Sequence, residues 1–269
     1  MCQVIGVTRS GYYAWKKKGK SPKAEEENAF VEKVKEIFKK SRKTYGSRKI
    51  VKALKREGIV ANRKRVQRVM QENNLVPITV RKYKATTNSK HNYPVAENLI
   101  KGMTIKAIGD VWVTDITYIS TEEGWLYLAT VEDLKSKEIV GYAMSDRINT
   151  DLTVEALRKA IMKHKPKEGL IHHSDRGVQY ANYRYQEELK KNGMKCSMSR
   201  KGNPYDNASM ESFNSILKKE LIYPKKTYKI RQEAKLEIFE YIEVFYNRER
   251  IHSSIEYMTP YEYRTGKVA

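Results

Sequence analysis

Cysteine and long hydrophobic runs are scarce in this 269-residue sequence. Its two cysteines, Cys2 and Cys196, exclude a disulfide-stapled scaffold and a zinc site built from cysteines. No run of 18 apolar residues occurs, and the segment Lys16-Lys17-Lys18 interrupts the N-terminus before a signal-like apolar core can form. These absences predict a soluble, cytoplasmic protein, and the length suffices for one large or two modest domains.

Acidic residues are also few relative to basic ones. The chain carries 53 Lys and Arg against 32 Asp and Glu, and its net charge of +21 predicts a polyanionic partner, with nucleic acid the first candidate. The first 100 residues hold 25 basic and 8 acidic side chains, whereas residues 101–220 hold 19 and 17. This step in charge predicts a strongly basic N-terminal part and a nearly neutral remainder.

Two short helices are predicted in the basic part of the chain. Ser47 is a suitable N-cap for a helix over 48–57 that ends at Gly58, and Asn62 is a suitable N-cap for a helix over 63–73. Their inner faces are predicted to consist of Ile50, Leu54, Val66, Val69 and Met70, with Val51 as a further candidate. The pattern is typical of a helix-turn-helix DNA-binding region, and an ordinary helical hairpin with a solvated basic face is the alternative. The side chains expected to face DNA are Arg48, Arg63, Lys64, Arg65, Gln67 and Arg68.

The segments that flank these helices carry further signals. Residues 5–15 look like the end of another such unit whose first helix would lie upstream, which would make the chain the later part of a longer product. Residues 77–102 contain Pro77, Pro94 and polar dipeptides, which predicts a linker. A basic DNA-binding region over residues 1–76 is therefore expected to precede the rest of the chain.

From residue 111 onward the hydrophobic pattern changes to the two-residue period of β-strands. Strands are predicted over residues 111–119, 124–131, 138–144, 170–174 and 194–198. The first three follow one another directly, which predicts an antiparallel meander. Helices are predicted over residues 151–163, 178–191 and 229–246, the last with Ile230, Ala234, Ile238, Tyr241, Ile242 and Phe245 buried. Together these elements indicate an α/β layer.

Three acidic residues stand out in this nearly neutral part. Asp115 lies within a strand of Val, Ile and aromatic residues, where a buried carboxylate without a partner is costly. Asp175 ends the strand at 170–174, and capping of the following helix is an alternative role for it. Glu211 lies on the polar side of a helix, two turns before Lys218, and taken alone this pair would be a solvated helix face. That helix is predicted to bury Met210, Phe213, Leu217 and Leu221.

The spacing of the three acids is specific. Asp175 follows Asp115 by 60 positions, and 35 residues separate Asp175 from Glu211. Segments around these residues and near the C-terminus belong to the same pattern: Trp112–Tyr118, His173–Gly177, Ser199–Ala208, Tyr246–Arg250, His252 and Thr259-Pro260. Over nearly its whole length the chain resembles the integrase-like D,D(35)E transposases of bacterial insertion sequences, in particular the OrfB protein of the IS3 family.

This resemblance implies a fold and a reaction. The fold is α/β, a ribonuclease-H-like catalytic core of the retroviral integrase type over residues 103–225, in which helices flank a mixed five-stranded sheet. The small all-α helix-turn-helix region precedes it, and a helical extension over 226–269 follows. The reaction is metal-dependent DNA strand cleavage at the element ends and transfer of the freed 3′-hydroxyl to another phosphodiester. Its cofactors would be two Mg²⁺ (or Mn²⁺) ions held by Asp115, Asp175 and Glu211, because hard cations take oxygen ligands. Lys218 would contact a DNA phosphate.

Further residues and partners complete the prediction. Arg200 and Lys201, with Asn207, are expected to position DNA beside the acids. His172 and His173 are expected to pack or hydrogen-bond rather than to bind a transition metal. The expected partners are double-stranded DNA, both as terminal inverted repeats and as target, further copies of the chain on DNA, and an upstream helix-turn-helix protein (OrfA) by fusion or association. The expected location is the bacterial cytoplasm, at the nucleoid. The alternatives are a ribonuclease-H-like nuclease that only hydrolyses and a non-catalytic DNA-binding regulator of the element.

Overall fold

The structure is a computed structural model that describes residues 6–17, 22–78, 93–199, 208–225 and 227–267. The chain divides into two compact units, Met1–Pro77 and Ile78–Ala269. Within the described ranges, no helix combines the length and the apolar character needed to cross a bilayer.

The first unit is built from helices. They are α1 (Arg9–Lys17), α2 (Pro22–Lys40), α3 (Ser47–Arg56) and α4 (Arg63–Glu72). The inner face that the sequence predicts for α3 and α4 is confirmed for Ile50, Leu54, Val66, Val69 and Met70, which are all buried, whereas Val51 is only partly buried. Helix α2 is absent from the sequence prediction and supplies the other half of this core, with Phe30, Val34, Ile37 and Phe38 buried against α3 and α4. The two predicted helices are therefore completed by a third, longer helix.

The ends of α3 and α4 agree with the prediction at two of three positions. Asn62 caps α4, because its Oδ1 accepts a hydrogen bond from the Lys64 amide at 2.9 Å. Gly58 ends α3 in the left-handed region at φ +79°, where its amide and the next one bond the last carbonyls of the helix. The capping role of Ser47 is wrong: Gly46 is the N-cap, and the Ser47 hydroxyl instead accepts a hydrogen bond from Arg63 at 3.5 Å.

The second unit is organised around one five-stranded sheet. Its strands are β1 (Val111–Thr121), β2 (Gly124–Asp133), β3 (Ile139–Ser145), β4 (Ile171–Ser174) and β5 (Lys195–Met198). They lie in the order β3-β2-β1-β4-β5. The antiparallel meander β1-β2-β3 is confirmed, and β4 and β5 are parallel to β1, so the sheet is mixed as expected.

Helices cover both faces of the sheet. They are α5 (Thr150–His164), α6 (Val178–Ala181), α7 (Tyr183–Lys191), α8 (Ala208–Leu217), α9 (Arg231–Glu240) and α10 (Pro260–Thr265). Val113 and Leu128 pack with Phe213 of α8 and Ile238 of α9 in one core, and α5, α6 and α7 fill the other. A Cβ atom at Gly141 would lie 2.5 Å from the carbonyl oxygen of Ala156, so α5 approaches β3 closely because this residue is glycine.

Three details of the predicted helices are wrong. The helix over 178–191 is broken at Asn182, which ends α6. The Oδ1 atom of Asn182 also caps α7 by accepting a hydrogen bond from the Arg184 amide. Leu221 is only partly buried and Ile222 takes its place, because α8 continues into a wider π-helical turn over Lys218–Ile222 that shifts the buried stripe by one residue. Ile230 is 48% exposed because it precedes the first turn of α9.

Part of the predicted linker belongs to the second unit. The Leu99 amide donates to the hydroxyl of Ser197 on β5 at 2.9 Å, and the Met198 amide donates to the carbonyl of Glu97. Tyr93 also packs edge-to-face on Tyr183 of α7. Residues 93–102 therefore lie along the β5 side of the sheet.

Candidate active site

The sheet register brings two of the predicted acids to one edge. Strands β1 and β4 run parallel, and their last paired residues are Val113 and His173. Asp115 and Asp175 each follow these residues by two positions, so the two carboxylates lie next to each other beyond the carboxyl end of β4. The edge beyond the carboxyl ends of parallel strands is where open α/β sheets form their sites.

The backbone that follows Asp175 is a tight turn rather than a helix cap. The Oδ1 atom of Asp175 accepts a hydrogen bond from the Gly177 amide at 2.8 Å, and a Cβ atom on Gly177 would lie 2.9 Å from this same oxygen. The N-cap of α6 is Gly177, so the alternative that Asp175 caps this helix is not what the structure has. The turn fixes the carboxylate at the strand end.

Helix α8 contributes the remaining predicted residues. Glu211 lies in its first turn and is exposed, and Lys218 follows two turns later. Between them, at helical spacing, Asn214 donates a hydrogen bond from Nδ2 to Asp115 Oδ2 at 2.8 Å. One stripe of α8 therefore faces Asp115.

Asn214 is a site residue that the sequence analysis does not assign. It is 8% exposed, and its Oδ1 is buried without a hydrogen-bond partner among the described residues. The available signal is an amide three positions after Glu211 on an otherwise apolar, buried side of the helix. Its contact orients the Asp115 carboxylate.

Electrostatic coupling joins the four predicted residues into one site. The pKa of Asp115 is raised to about 7, first by burial and next by the negative charge of Asp175. Glu211 raises this pKa further, whereas a backbone hydrogen bond at Ile116 and the positive charge of Lys218 lower it. Two acidic neighbours and one cation therefore act on a single carboxylate, which is the pattern of functional sites.

Lys218 lies at the border between this site and the protein interior. Burial lowers the pKa of its ammonium group, and nearby Tyr118 and Asp115 oppose that change. The Nζ atom lies 4.7 Å from the centre of the Tyr118 ring, which is a cation–π distance. The ring keeps the ammonium group beside Asp115.

The chemistry of the donor set fits a hard divalent cation. Asp115, Asp175 and Glu211 offer only carboxylate oxygens, and the pKa of Asp115 is raised first by burial and then by like charges that a cation would offset. Within the described part of the chain, no three His, Cys, Asp or Glu side chains are already arranged as a metal site. The donors fit by type, and their coordination geometry is not formed in this structure.

The two neighbouring histidines take part in the packing of the sheet. His173 bonds the hydroxyls of Ser197 and Ser199 at 2.8 and 3.1 Å. His172 bonds the Tyr185 hydroxyl at 3.2 Å, and burial lowers its pKa to about 3. Both side chains are buried and hydrogen-bonded, in line with the sequence analysis.

The candidate DNA-facing residues of the first unit fall into two groups. Arg48, Arg63, Lys64 and Gln67 are exposed. Arg65 and Arg68 bind the carboxylate of Glu27 on α2, and the Arg65 guanidinium lies 3.9 Å above the Phe30 ring. The latter pair therefore also joins α4 to α2. Arg200, Lys201 and Asn207 lie outside the described residues.

Comparison with protein families assigns both parts of the chain. A model described as an HTH-like domain matches residues 25–83. Two models described as integrase core domains match residues 106–204 and 192–260. The matched ranges cover most of α2 with α3 and α4, and the sheet with helices α5 to α9.

Curated relatives match over nearly the entire chain. A 31 kDa protein of insertion element IS600 from Shigella sonnei is 45% identical and covers 98% of this chain and 97% of its own. The transposase of insertion sequence IS904 from Lactococcus lactis is 43% identical, with coverages of 88% and 94%. Transposase InsF of insertion sequence IS3A from Escherichia coli K12 is 35% identical, with coverages of 100% and 94%.

A solved structure shares the fold. One chain of the simian T-cell lymphotropic virus intasome in complex with the PP2A regulatory subunit B56 gamma superposes with a TM-score of 0.51. The two chains are 15% identical, and the match covers 80% of this chain and 70% of that one. The second unit therefore has the integrase catalytic core fold that the sequence analysis expects.

Proposed function

Because the chain belongs to the IS3 family of insertion-sequence transposases, whose integrase core performs polynucleotidyl transfer, we propose that it is a Mg²⁺-dependent enzyme of the DDE type. It cleaves DNA strands at the ends of its element and joins the freed 3′-hydroxyl to another phosphodiester. The observation that carries this proposal is geometric: Asp115 lies beside Asp175 at one sheet edge, and α8, which bears Glu211, bonds Asp115 through Asn214.

Asp115, Asp175 and Glu211 would hold the metal. A pair of bound Mg²⁺ or Mn²⁺ ions would activate the attacking hydroxyl and stabilise the departing 3′-oxygen. The chain's own residues orient the reactants. Asn214 keeps the Asp115 carboxylate directed into the site through its amide hydrogen bond. The turn at Gly177 does the same for Asp175.

Lys218 supplies a positive charge beside the acids. A DNA phosphate near the scissile bond would bind its ammonium group as a point charge, in competition with the Tyr118 ring. The basic loop with Arg200, Lys201 and Asn207 would add contacts to the DNA backbone on the approach to the site.

The rest of the chain binds and presents DNA. We propose that residues 1–76 recognise the terminal inverted repeats through Arg48, Arg63, Lys64 and Gln67, with Arg65 and Arg68 supporting them. The linker then ends before Tyr93, since residues 93–102 contact β5. Residues 103–225 form the catalytic core and 226–269 its helical extension. The chain acts on double-stranded DNA as an oligomer, in fusion or association with an upstream helix-turn-helix protein.

A strand-transfer assay tests the catalytic assignment. Labelled element-end DNA is incubated with Mg²⁺ or Mn²⁺ and either the unchanged chain or Glu211→Gln, which preserves size but removes a charged ligand. Joined product is expected with the unchanged chain and at background level with the variant. Equal product from both proteins would refute the proposal. Cleaved but never joined ends would favour the nuclease, and no product with intact end binding would favour the regulator.

A further inference from the structure

The start of helix α8 is attached to the sheet by a buried carboxylate. Glu132 lies on β2, opposite Val113 of β1, and is 1% exposed. The Ser209 hydroxyl donates a hydrogen bond to Glu132 Oε1. Lys137 Nζ donates to the same serine hydroxyl at 2.9 Å and lies 3.7 Å from the carboxylate. Three polar side chains thus form one network, and its Ser209 lies two residues before Glu211.

The turn between β2 and β3 holds Lys137 in place for this network. Asp133 Oδ1 accepts hydrogen bonds from the Lys135 amide and from both the amide and the hydroxyl of Ser136. Its Oδ2 accepts another from the Gly109 amide. Lys137 then adopts the left-handed region at φ +62°. A turn bonded this fully is rigid, so the lysine approaches Ser209 from a fixed point.

The network is not explained by stability alone. Burial raises the pKa of Glu132 to about 7, which shows that the charged form is disfavoured where it lies. Buried ion pairs are commonly no more stabilising than apolar side chains of similar volume. Such networks instead select one arrangement of the elements that they join, since their hydrogen bonds are satisfied in only one geometry.

We propose that Glu132 is a positioning residue for the transfer reaction. With Lys137 it holds Ser209, and it thereby fixes the rotation and the axial position of α8 so that Glu211 faces Asp115. Ser209 anchors one side of the helix to β2, and Asn214 anchors another side to Asp115, with Glu211 between the two anchors. The inference rests on the proposed function of Glu211.

The experiment compares four variants of the full chain: Glu132→Leu, Glu132→Gln, Ser209→Ala and the double variant Glu132→Leu/Ser209→Ala. Ser212→Ala is the matched control, because it makes the same change at an exposed position of the same helix. The strand-transfer rate, the KM for element-end DNA and the thermal midpoint are measured for each. Amide hydrogen exchange at the start of α8 is recorded without metal.

Loss of a group that orients a metal ligand typically lowers activity about tenfold to a hundredfold, and because Ser209 and Glu132 orient Glu211 through the helix, a fall in kcat of about tenfold is expected for Ser209→Ala and Glu132→Leu. The KM for DNA stays unchanged, and the double variant is no slower than the slower single one, since both remove one interaction. Glu132→Gln retains an acceptor for Ser209 and most of the rate. The first turn of α8 exchanges faster in the metal-free Ser209→Ala protein and not in the control.

The contrary results are distinct. Unchanged rates in Ser209→Ala and Glu132→Leu would overturn the inference, and so would rate losses that add in the double variant. It would also be overturned by Glu132→Gln losing rate and thermal midpoint as strongly as Glu132→Leu, which is the signature of a purely structural group. If Glu132→Leu does not fold, Ser209→Ala alone tests the inference, because it removes only one oxygen atom at the start of the helix. A normal rate in Glu211→Gln would instead refute the proposed function, and the inference with it.

Discussion

The two units of this protein treat their acidic side chains in opposite ways. In the helical unit, hydrogen bonds from Lys40 and Lys33 lower the pKa of Glu36 to about 2, and Arg65 lowers that of Glu27. In the second unit, burial raises the pKa of Asp115 and of Glu132 to about 7. Exposed acids surrounded by basic residues are paired, whereas acids placed in an apolar sheet remain charged only at a cost.

This contrast separates binding from chemistry. The helical unit shows its excess of basic groups on the surface, which suits contact with a phosphate backbone. The second unit concentrates negative charge at one sheet edge, where DNA would be repelled without a cation between them. A change in one unit should therefore alter one step and leave the other intact.

The largest expected effect is on catalysis. Asp115→Asn removes the carboxylate that Asp175, Glu211 and Lys218 all act upon, and the transfer rate is expected to fall about a thousandfold, as when one member of a cooperating group is lost. Binding of element-end DNA is measured in parallel by fluorescence anisotropy and should not weaken. If Asp115→Asn lowered both the DNA affinity and the transfer rate, the assignment of DNA binding to one unit and chemistry to the other would be wrong.

Glu132 in the second unit and Glu27 and Glu36 in the helical unit should contribute to stability with opposite pH dependence. Glu132 has a pKa above its ordinary value of 4.5, so its contribution to stability is lost as the pH rises from about 4.5 towards 7. Glu27 and Glu36 have lowered pKa values, so theirs is lost as the pH falls below about 4.5. Hydrogen exchange of each unit across this range is the measurement. Glu132→Gln should remove this contribution, about 3 kcal/mol at pH 7, from the profile of the second unit. An unchanged profile in Glu132→Gln would contradict the prediction.

A smaller effect is expected on DNA affinity. The double variant Arg63→Ala/Lys64→Ala removes two exposed cations at the start of α4. The slope of log affinity against log salt should become shallower by about 2, because two fewer phosphates are neutralised. The transfer rate at saturating DNA should not change. The control is Lys159→Ala, a change at an exposed lysine on α5 of the second unit. An equal change in slope in that variant would show that the cations of α4 have no special part in DNA binding.

The smallest effect compares two caps within the helical unit. Asn62→Ala removes the side-chain acceptor of the Lys64 amide and is expected to destabilise the protein by about 1 kcal/mol. Ser47→Ala removes no cap, so its cost should remain below about 0.5 kcal/mol. Chemical denaturation of both variants decides the matter. If Ser47→Ala lowered the free energy of unfolding more than Asn62→Ala does, Ser47 would be the N-cap of α3 after all.

Much of the fold could be predicted because its signals are local. The two-residue period over 111–145 predicts the meander, and the apolar spacing in 48–73 predicts two helices with their inner faces. Helix α2 lies outside the predicted elements although Phe30, Val34, Ile37 and Phe38 recur at helical spacing. The wide turn after Leu217 could not be predicted, because an inserted residue leaves no trace in the periodicity before it.

The candidate site also contains residues that the sequence can identify and residues that it cannot. Asp115, Asp175, Glu211 and Lys218 could be selected from their spacing and their resemblance to one family, without knowledge of any contact. Asn214 and Glu132 could not, because an isolated Asn or Glu has no motif, and its importance depends on what lies across from it. Polar residues in apolar surroundings were the one available signal for both.

By itself the sequence identified the family, indicated a nucleic-acid partner and selected the candidate residues of the reaction, since charge, composition and spacing are properties of the chain. Tertiary structure alone decided how those residues meet. The parallel pairing of β1 with β4 sets Asp115 beside Asp175, although 60 positions separate them in the chain. Packing of α8 on the sheet then adds Asn214 and connects Ser209 to Glu132. The physical reason is that strand register and helix packing are long-range, being set by which surfaces exclude water together.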